Sequence, residues 1–216
     1  QSNCPYPFKD LCGCGIGFKL LQALTQEKGG KIQEIIPFMD LVAMAVAADI
    51  VPIVGENRIL TYFGIQQIHE NPRVGIRFFI HQLKRKINVS DLVFVIAPRI
   101  NGAGRIKHGS HAVALLLSED KEEALSRGRA IELFNSERKE LDQKITAQAL
   151  DQIKQNKEEE AYSTVVFQPD WHKGVIGIVA SRLLSTHSSF CCFGRLLFCI
   201  GSFGQRSRRL SNFGDL

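Results

Sequence analysis

No stretch of the 216 residues stays apolar long enough to cross a bilayer. The longest runs, residues 41–48 and 112–117, fall far short of the ~20 residues a spanning helix needs, so no membrane contact is expected. No Cys-x-x-Cys pair occurs, and Cys12-Gly13-Cys14, with no paired histidines nearby, is too tight for a zinc knuckle. The six cysteines fall in two groups, Cys4, Cys12, Cys14 and Cys191, Cys192, Cys199. That is too few for a disulfide scaffold, and the expectation is reduced thiols in a cytoplasmic setting. An initiating Met and a basic-then-apolar leader are both missing, so Gln1-Ser2-Asn3-Cys4-Pro5 reads as the interior of a longer protein. Residues 185–216 lack Lys and Glu entirely.

What is present is globular in composition: 44% hydrophobic and 23% charged residues argue against disorder and fibrous repeats. The net charge of +5 hints at an anionic partner, but its distribution weakens the hint. Residues 185–216 hold four Arg (195, 206, 208, 209) against Asp215, a balance of +3, which leaves +2 for the first 184. The same 32 residues carry five of the 14 Phe, three of the six Cys and six Ser. Their glycines and serines break every candidate helix or strand, and a nucleic-acid surface of stacking Phe and Arg is the less favoured reading.

Along the chain, residues 1–14 read as loop, and Ile16, Phe18, Leu20, Leu21 and Leu24 predict a helix ending at Gly29-Gly30. Residues 38–48 are apolar all round and predict a buried helix that delivers Asp49 at its end, with Pro52 ending the helical run. Asn57 is a candidate N-cap for a helix through His69 that buries Ile59, Leu60, Phe63 and Ile68. Another helix is expected over 73–83, and 91–97 is strand or buried helix. Pro98-Arg99-Ile100-Asn101-Gly102-Ala103-Gly104-Arg105 predicts a loop able to approach a ligand closely. From Asp120 to about Gln155 a single long helix is predicted, with Ile131, Phe134, Leu141, Ile145, Ala149 and Ile153 at helical spacing. A strand over 163–167 then opens a second domain.

Three places carry candidate chemistry. Asp49 is either a carboxylate placed for a divalent cation or a helix-end Asp with local hydrogen bonds. The 98–105 segment combines guanidinium forks with backbone N–H groups freed by glycine, which suits phosphate; the alternative is an ordinary glycine turn with solvated arginines. In residues 171–182, Trp-His-Lys-Gly-Val-Ile-Gly-Ile-Val-Ala-Ser-Arg, a strand–turn–helix layout sets His172 and Lys173 at a helix N-terminus. There, anion binding and plain packing are equally open.

Four stretches in order, residues 6–20 (Tyr-Pro-Phe-Lys-Asp-Leu-Cys-Gly-Cys-Gly-Ile-Gly-Phe-Lys-Leu), 40–58, 97–105 and 171–182, resemble the RecJ-type exonucleases of the DHH phosphoesterase superfamily. The resemblance covers about residues 3–184. It implies an α/β fold: the C-terminal part of a DHH domain (1–118), a connector helix (119–160) and the start of a DHH-associated domain (161–184). Residues 185–216 then form an aberrant tail, expected to be a frameshifted reading of the gene. The resemblance further implies Asp49 as a catalytic ligand of Mn²⁺ or Mg²⁺, and Arg99, Asn101, Arg105, His172 and Arg182 as contacts to nucleic acid.

The implied activity is 5′-to-3′ hydrolysis of single-stranded DNA in recombination and repair, by a monomer with two metal ions. Departures from the family pattern are equally clear. The chain has no Asp-x-Asp, no Asp-His-His and no Gly-Gly-His, so the remaining metal ligands are expected upstream of Gln1 and the fragment alone is expected to be inactive. The alternatives are a non-catalytic nucleic-acid-binding module, a DHH-type phosphodiesterase for short oligonucleotides or cyclic dinucleotides, and a degraded gene product with no activity.

Overall fold

The structure, a computed structural model, describes residues 4–159, 161, 163–186, 190–193 and 198–200. Among them helices dominate, and the α/β expectation reduces to one three-stranded sheet with its helices. The chain divides into two compact units, Gln1–Asn135 and Ser136–Leu216, and the division falls inside one long helix.

The first unit is built around a helix with no polar face. Helix α1 (Gly13–Glu27) starts three residues before the apolar pattern at Ile16 predicts, because the buried Cys12 caps it, its Sγ accepting from the Gly15 N–H. Two 3₁₀ turns, Ile32–Glu34 and Ile36–Phe38, lead into α2 (Met39–Ala48). As predicted, α2 is buried all round, since both of its sides are apolar. Val42 and Val46 pack with Phe18 and Leu60 in one cluster, while Ala43, Met44 and Ala47 join Ile68, Ile76 and Phe79 in another.

Helix α3 (Gly55–Glu70) departs from expectation. Asn57 is not its cap: Val54 holds that position, and Asn57 is fully buried inside the first turn. The buried face of α3 runs through Asn57, Leu60, Thr61, Gly64 and Ile68, so Ile59 and Phe63, expected in the core, are exposed at 57% and 46%. Close approach decides this face. A Cβ on Gly64 would lie 2.2 Å from the Met39 carbonyl oxygen, so α2 and α3 touch where only glycine fits.

After α4 (Val74–Leu83), α5 (Val89–Asp91) runs through a π turn (Leu92–Ile96) directly into α6 (Ala97–Ile106). The segment 98–105 is therefore helix, correcting the predicted loop. Pro98 sits in the first turn of α6, just after the widened π turn, where its missing N–H costs little. Gly102 and Ala103 are buried, so burial of a small-residue face outweighs the weak helix propensity of glycine. Helix α7 (Ser110–Leu116) follows, and α8 (Lys121–Gln155) is the predicted long helix, 35 residues without a break.

In the second unit, β1 (Ser163–Val166), α9 (Lys173–Thr186) and β2 (Phe190–Phe193) form a βαβ unit with β1 and β2 parallel. Strand β3 (Phe198–Ile200) adds antiparallel to β2. Residues beyond 184 thus do contribute regular elements, against the reading that every candidate there is broken; most of the tail, and the thiols of Cys191, Cys192 and Cys199, lie outside the described residues. Ile145, Ala149 and Ile153 of α8 are buried in this unit. Gln148 accepts from the Trp171 indole N–H at 2.8 Å, and Gln152 exchanges two hydrogen bonds with the Phe167 backbone.

Candidate functional site

Helix α2 carries an aspartate at each end, in opposite electrostatic settings. Asp40 lies in the first turn, where the helix dipole favours a negative charge, and is completely buried. It accepts from Arg73 Nε at 2.7 Å and from the Leu41 N–H at 2.7 Å. Burial pushes its carboxyl above the ordinary value, and the Arg73 guanidinium offsets only part of that. Asp40 is thus an internal tie: Arg73 also donates to the Pro37 carbonyl and lies over the Phe38 ring.

Asp49 is the C-cap residue of the same helix, exposed, at the end where the dipole disfavours an anion. No described cation pairs with it within 4.0 Å. The next residue, Ile50, has φ of 53°, a left-handed conformation that is an outlier for a β-branched side chain, and is 81% exposed. Strain of this kind persists only where the surroundings hold it, and it clusters at functional sites. The surroundings are visible. Asn57 Nδ2 donates to the carbonyls of Asp10 (2.7 Å) and Pro52 (3.0 Å), and Gly55 lies so close to Phe8 that a Cβ would come within 2.8 Å of its ring. Tyr6 Oη donates to Glu56, which also pairs with Lys19 at 3.1 Å. The segment after Asp49 is therefore fastened on both sides. In α1, partial burial pushes the Cys14 thiol up, with Cys12, Asp40 and Asp49 adding to the shift.

Helix α6 sorts its three candidate residues by helical pitch. Asn101 and Arg105 are four apart and share a face; Asn101 Nδ2 reaches the Ala48 carbonyl, next to Asp49, at 3.4 Å, and Arg105 is exposed. Arg99 lies on a different face, where Nε donates to Glu132 Oε1 at 2.6 Å and Nη1 to the Val95 carbonyl at 2.6 Å. Treating 98–105 as a loop hid this division, since only a helix assigns faces. In the second unit, His172 Nδ1 accepts from the Gly174 N–H at the start of α9, and Arg182 Nη2 donates to the buried Asp142 at 2.7 Å.

A hard divalent cation requires about six oxygens. Among the described residues, no group of three or more His, Cys, Asp or Glu side chains is placed to hold a metal ion. One carboxylate, Asp49, does not make such a site, so the residues present do not fit a bound metal by themselves.

No family model matches the chain. Against the single-stranded-DNA-specific exonuclease RecJ of Bacillus subtilis it is 36% identical over 187 residues, 85% of this chain and 23% of the relative. The Escherichia coli protein of the same name is 34% identical over 197 residues, 34% of its length. The crystal structure of Thermus thermophilus RecJ with Mg²⁺ superimposes with a TM-score of 0.79 at 31% identity, covering 88% of this chain and 30% of that one. Over the stretch they share, the chain is similar to RecJ in both sequence and fold. A manganese-bound exonuclease RecJ structure gives 0.80, covering 89% of this chain and 49% of the other. The chain therefore spans only 23% to 34% of these RecJ relatives, while the structural match extends across most of its own length. No helix among the described residues is long and apolar enough to cross a membrane.

Proposed function

We propose that this chain is the part of a Mn²⁺- or Mg²⁺-dependent, single-strand-specific DNA exonuclease that supplies one metal carboxylate and one strand-contacting helix face. The observation that carries the reading is the end of α2: a carboxylate with no described cation beside it at the unfavourable pole of a buried helix, followed by a strained Ile50. RecJ homology supports it, since the matched crystal structures hold Mg²⁺ or Mn²⁺. Asp49 is the metal ligand in this reading, and the other ligands come from outside these residues.

Arg105 offers its guanidinium to a backbone phosphate of single-stranded DNA, and Asn101, beside Ala48, ties that contact to the Asp49 end of α2. Arg99 and Arg182, committed to Glu132 and Asp142, hold helices in place; His172 caps α9 and leaves Nε2 for a phosphate. Residues 1–118 are read as the C-terminal part of a DHH domain, 119–160 as the connector and 161–184 as the start of the associated domain. The direction is 5′ to 3′, in DNA recombination and repair, by a cytoplasmic monomer. The test is a nuclease assay of the 216-residue chain with Mn²⁺ on 5′-phosphorylated single-stranded DNA. No degradation is expected from an incomplete ligand set, and metal-dependent degradation would overturn this reading.

A second reading, a binding module without catalysis, is favoured by the incomplete metal set together with the exposed Arg105. It predicts salt-sensitive binding of single-stranded DNA in the absence of any metal.

A further inference from the structure

Phe94 is an aromatic ring in the open, on a row of otherwise small and polar residues. Residues Leu92–Ile96 form the π turn that runs into α6, and Phe94, Pro98, Asn101 and Arg105 follow one another at spacings of four, three and four, a single row along a helix. All four are exposed, while Leu92, Ile96, Ala97, Gly102 and Ala103 are buried on the other side. At 76%, Phe94 is the most exposed of the described Phe, Tyr and Trp side chains. A packing face repeats large apolar side chains every three or four residues, but the positions three and four away from Phe94 hold Ser90, Asp91, Ala97 and Pro98. No described ring or guanidinium lies against it. Its place in a π turn points the same way, because these turns are frequent at functional sites.

The surroundings suit a polyanion. Residues 92–107 contain no Asp or Glu and three cations, Arg99, Arg105 and Lys107. Arg99 is committed to Glu132, and Arg105 closes the exposed row. Eleven residues separate ring and guanidinium, roughly 16 Å along the helix. Between them Asn101 Nδ2 reaches the Ala48 carbonyl, so the row passes the Asp49 end of α2. We propose that Phe94 is a base-stacking residue for single-stranded DNA: one base lies on its ring while Arg105 holds a phosphate of the same strand. The ring adds selectivity for single strands, since in a duplex each base face is covered by its neighbours and must be unstacked before it can reach Phe94. Every base has a π face, so the contact is indifferent to sequence. This inference deepens the strand-contacting reading of α6 and rests on it.

The test measures binding by the 216-residue chain, through fluorescence anisotropy over a range of salt, of a short oligothymidylate and of an abasic strand with the same length and charge. Phe94→Ala is expected to weaken oligothymidylate binding at least about fivefold with the salt slope unchanged, and to leave abasic-strand binding as it was. Phe94→Trp, which keeps a stacking ring, is expected to bind oligothymidylate at least as tightly as the parent. Phe94→Leu, which keeps an apolar side chain without a ring, is expected to behave as Phe94→Ala. Parent-like binding by Phe94→Ala or Phe94→Leu overturns the inference. So does an equal loss on both strands, or a lowered melting temperature in Phe94→Ala, because either makes the ring structural. If the salt slope still falls in Arg105→Ala in those cases, the strand-contacting reading stands without Phe94. If the parent shows no salt-sensitive binding of either strand, that reading fails and this inference with it.

Discussion

Asp40 and Asp49 stand nine residues apart on one helix, yet they have opposite surroundings. Asp40 sits at the favourable pole, buried, with an arginine and a backbone N–H on its oxygens. Asp49 sits at the unfavourable pole, exposed, with no described cation beside it and a left-handed isoleucine after it. A carboxylate that stabilises the fold is found where its charge is answered within the protein. The one with no described cation beside it, on a segment flanked by the Asn57 and Phe8 contacts, is the one we propose as a metal ligand.

The comparison breaks most easily on stability. Asp40→Ala leaves Arg73 partly buried without its partner and is expected to cost about 3–5 kcal/mol in urea unfolding. Asp49→Ala is expected to change stability by less than about 0.5 kcal/mol, or to raise it slightly as the repulsion from the helix end is removed. Equal losses would erase the distinction. Gly64→Ala probes the Asp40 end through packing, because the new methyl would press on the Met39 carbonyl. An expected loss of about 1–3 kcal/mol by thermal melting checks it.

On the nucleic-acid side, Arg105→Ala is expected to lower the salt slope of single-stranded DNA binding by ~1, whereas Arg99→Ala, which removes an ion pair with Glu132, leaves the slope unchanged. The smallest effect separates two buried acids by pH. Burial raises the Asp91 carboxyl, but the Arg85 fork and the Asn88 N–H outweigh it, so its folded value is lowered. The stability it contributes is present above its unfolded value of ~3.9 and is lost as pH falls through the lower folded value. The raised Asp40 carboxyl acts in the opposite sense: stability falls as pH rises from ~3.9 towards its folded value. Asp91→Asn should therefore flatten the acid limb of a stability-against-pH curve, and Asp40→Asn the limb above it.

Much of this fold was legible because periodicity was strong. The apolar 38–48 run, the 35-residue helix and the strand–turn–helix at 163–182 all follow from residue spacing. What misled was local chemistry judged without its packing partners. Pro98, Asn101, Gly102 and Gly104 read as loop, yet α6 forms because a buried small face and a preceding π turn accommodate them. Asn57 looks like a cap by type but bridges two distant carbonyls, which no local pattern reveals. The place of Asp49 at the end of α2 was legible, while its proposed role as a metal ligand came only through the family resemblance. The strain at Ile50 was not, because nothing in an Asp-Ile-Val-Pro sequence announces a positive φ at the isoleucine.

The most direct test places Asp49→Ala and Asp40→Ala separately in a chimaera in which the chain replaces its matched stretch of the Bacillus subtilis RecJ, and measures Mn²⁺-dependent degradation of single-stranded DNA beside the melting curve. Asp49→Ala is predicted to lower the rate by more than the roughly 10- to 100-fold that a merely supporting residue costs, with melting unchanged. Asp40→Ala is predicted to act through melting first. Degradation by the Asp49→Ala protein at the parent rate would contradict the assignment.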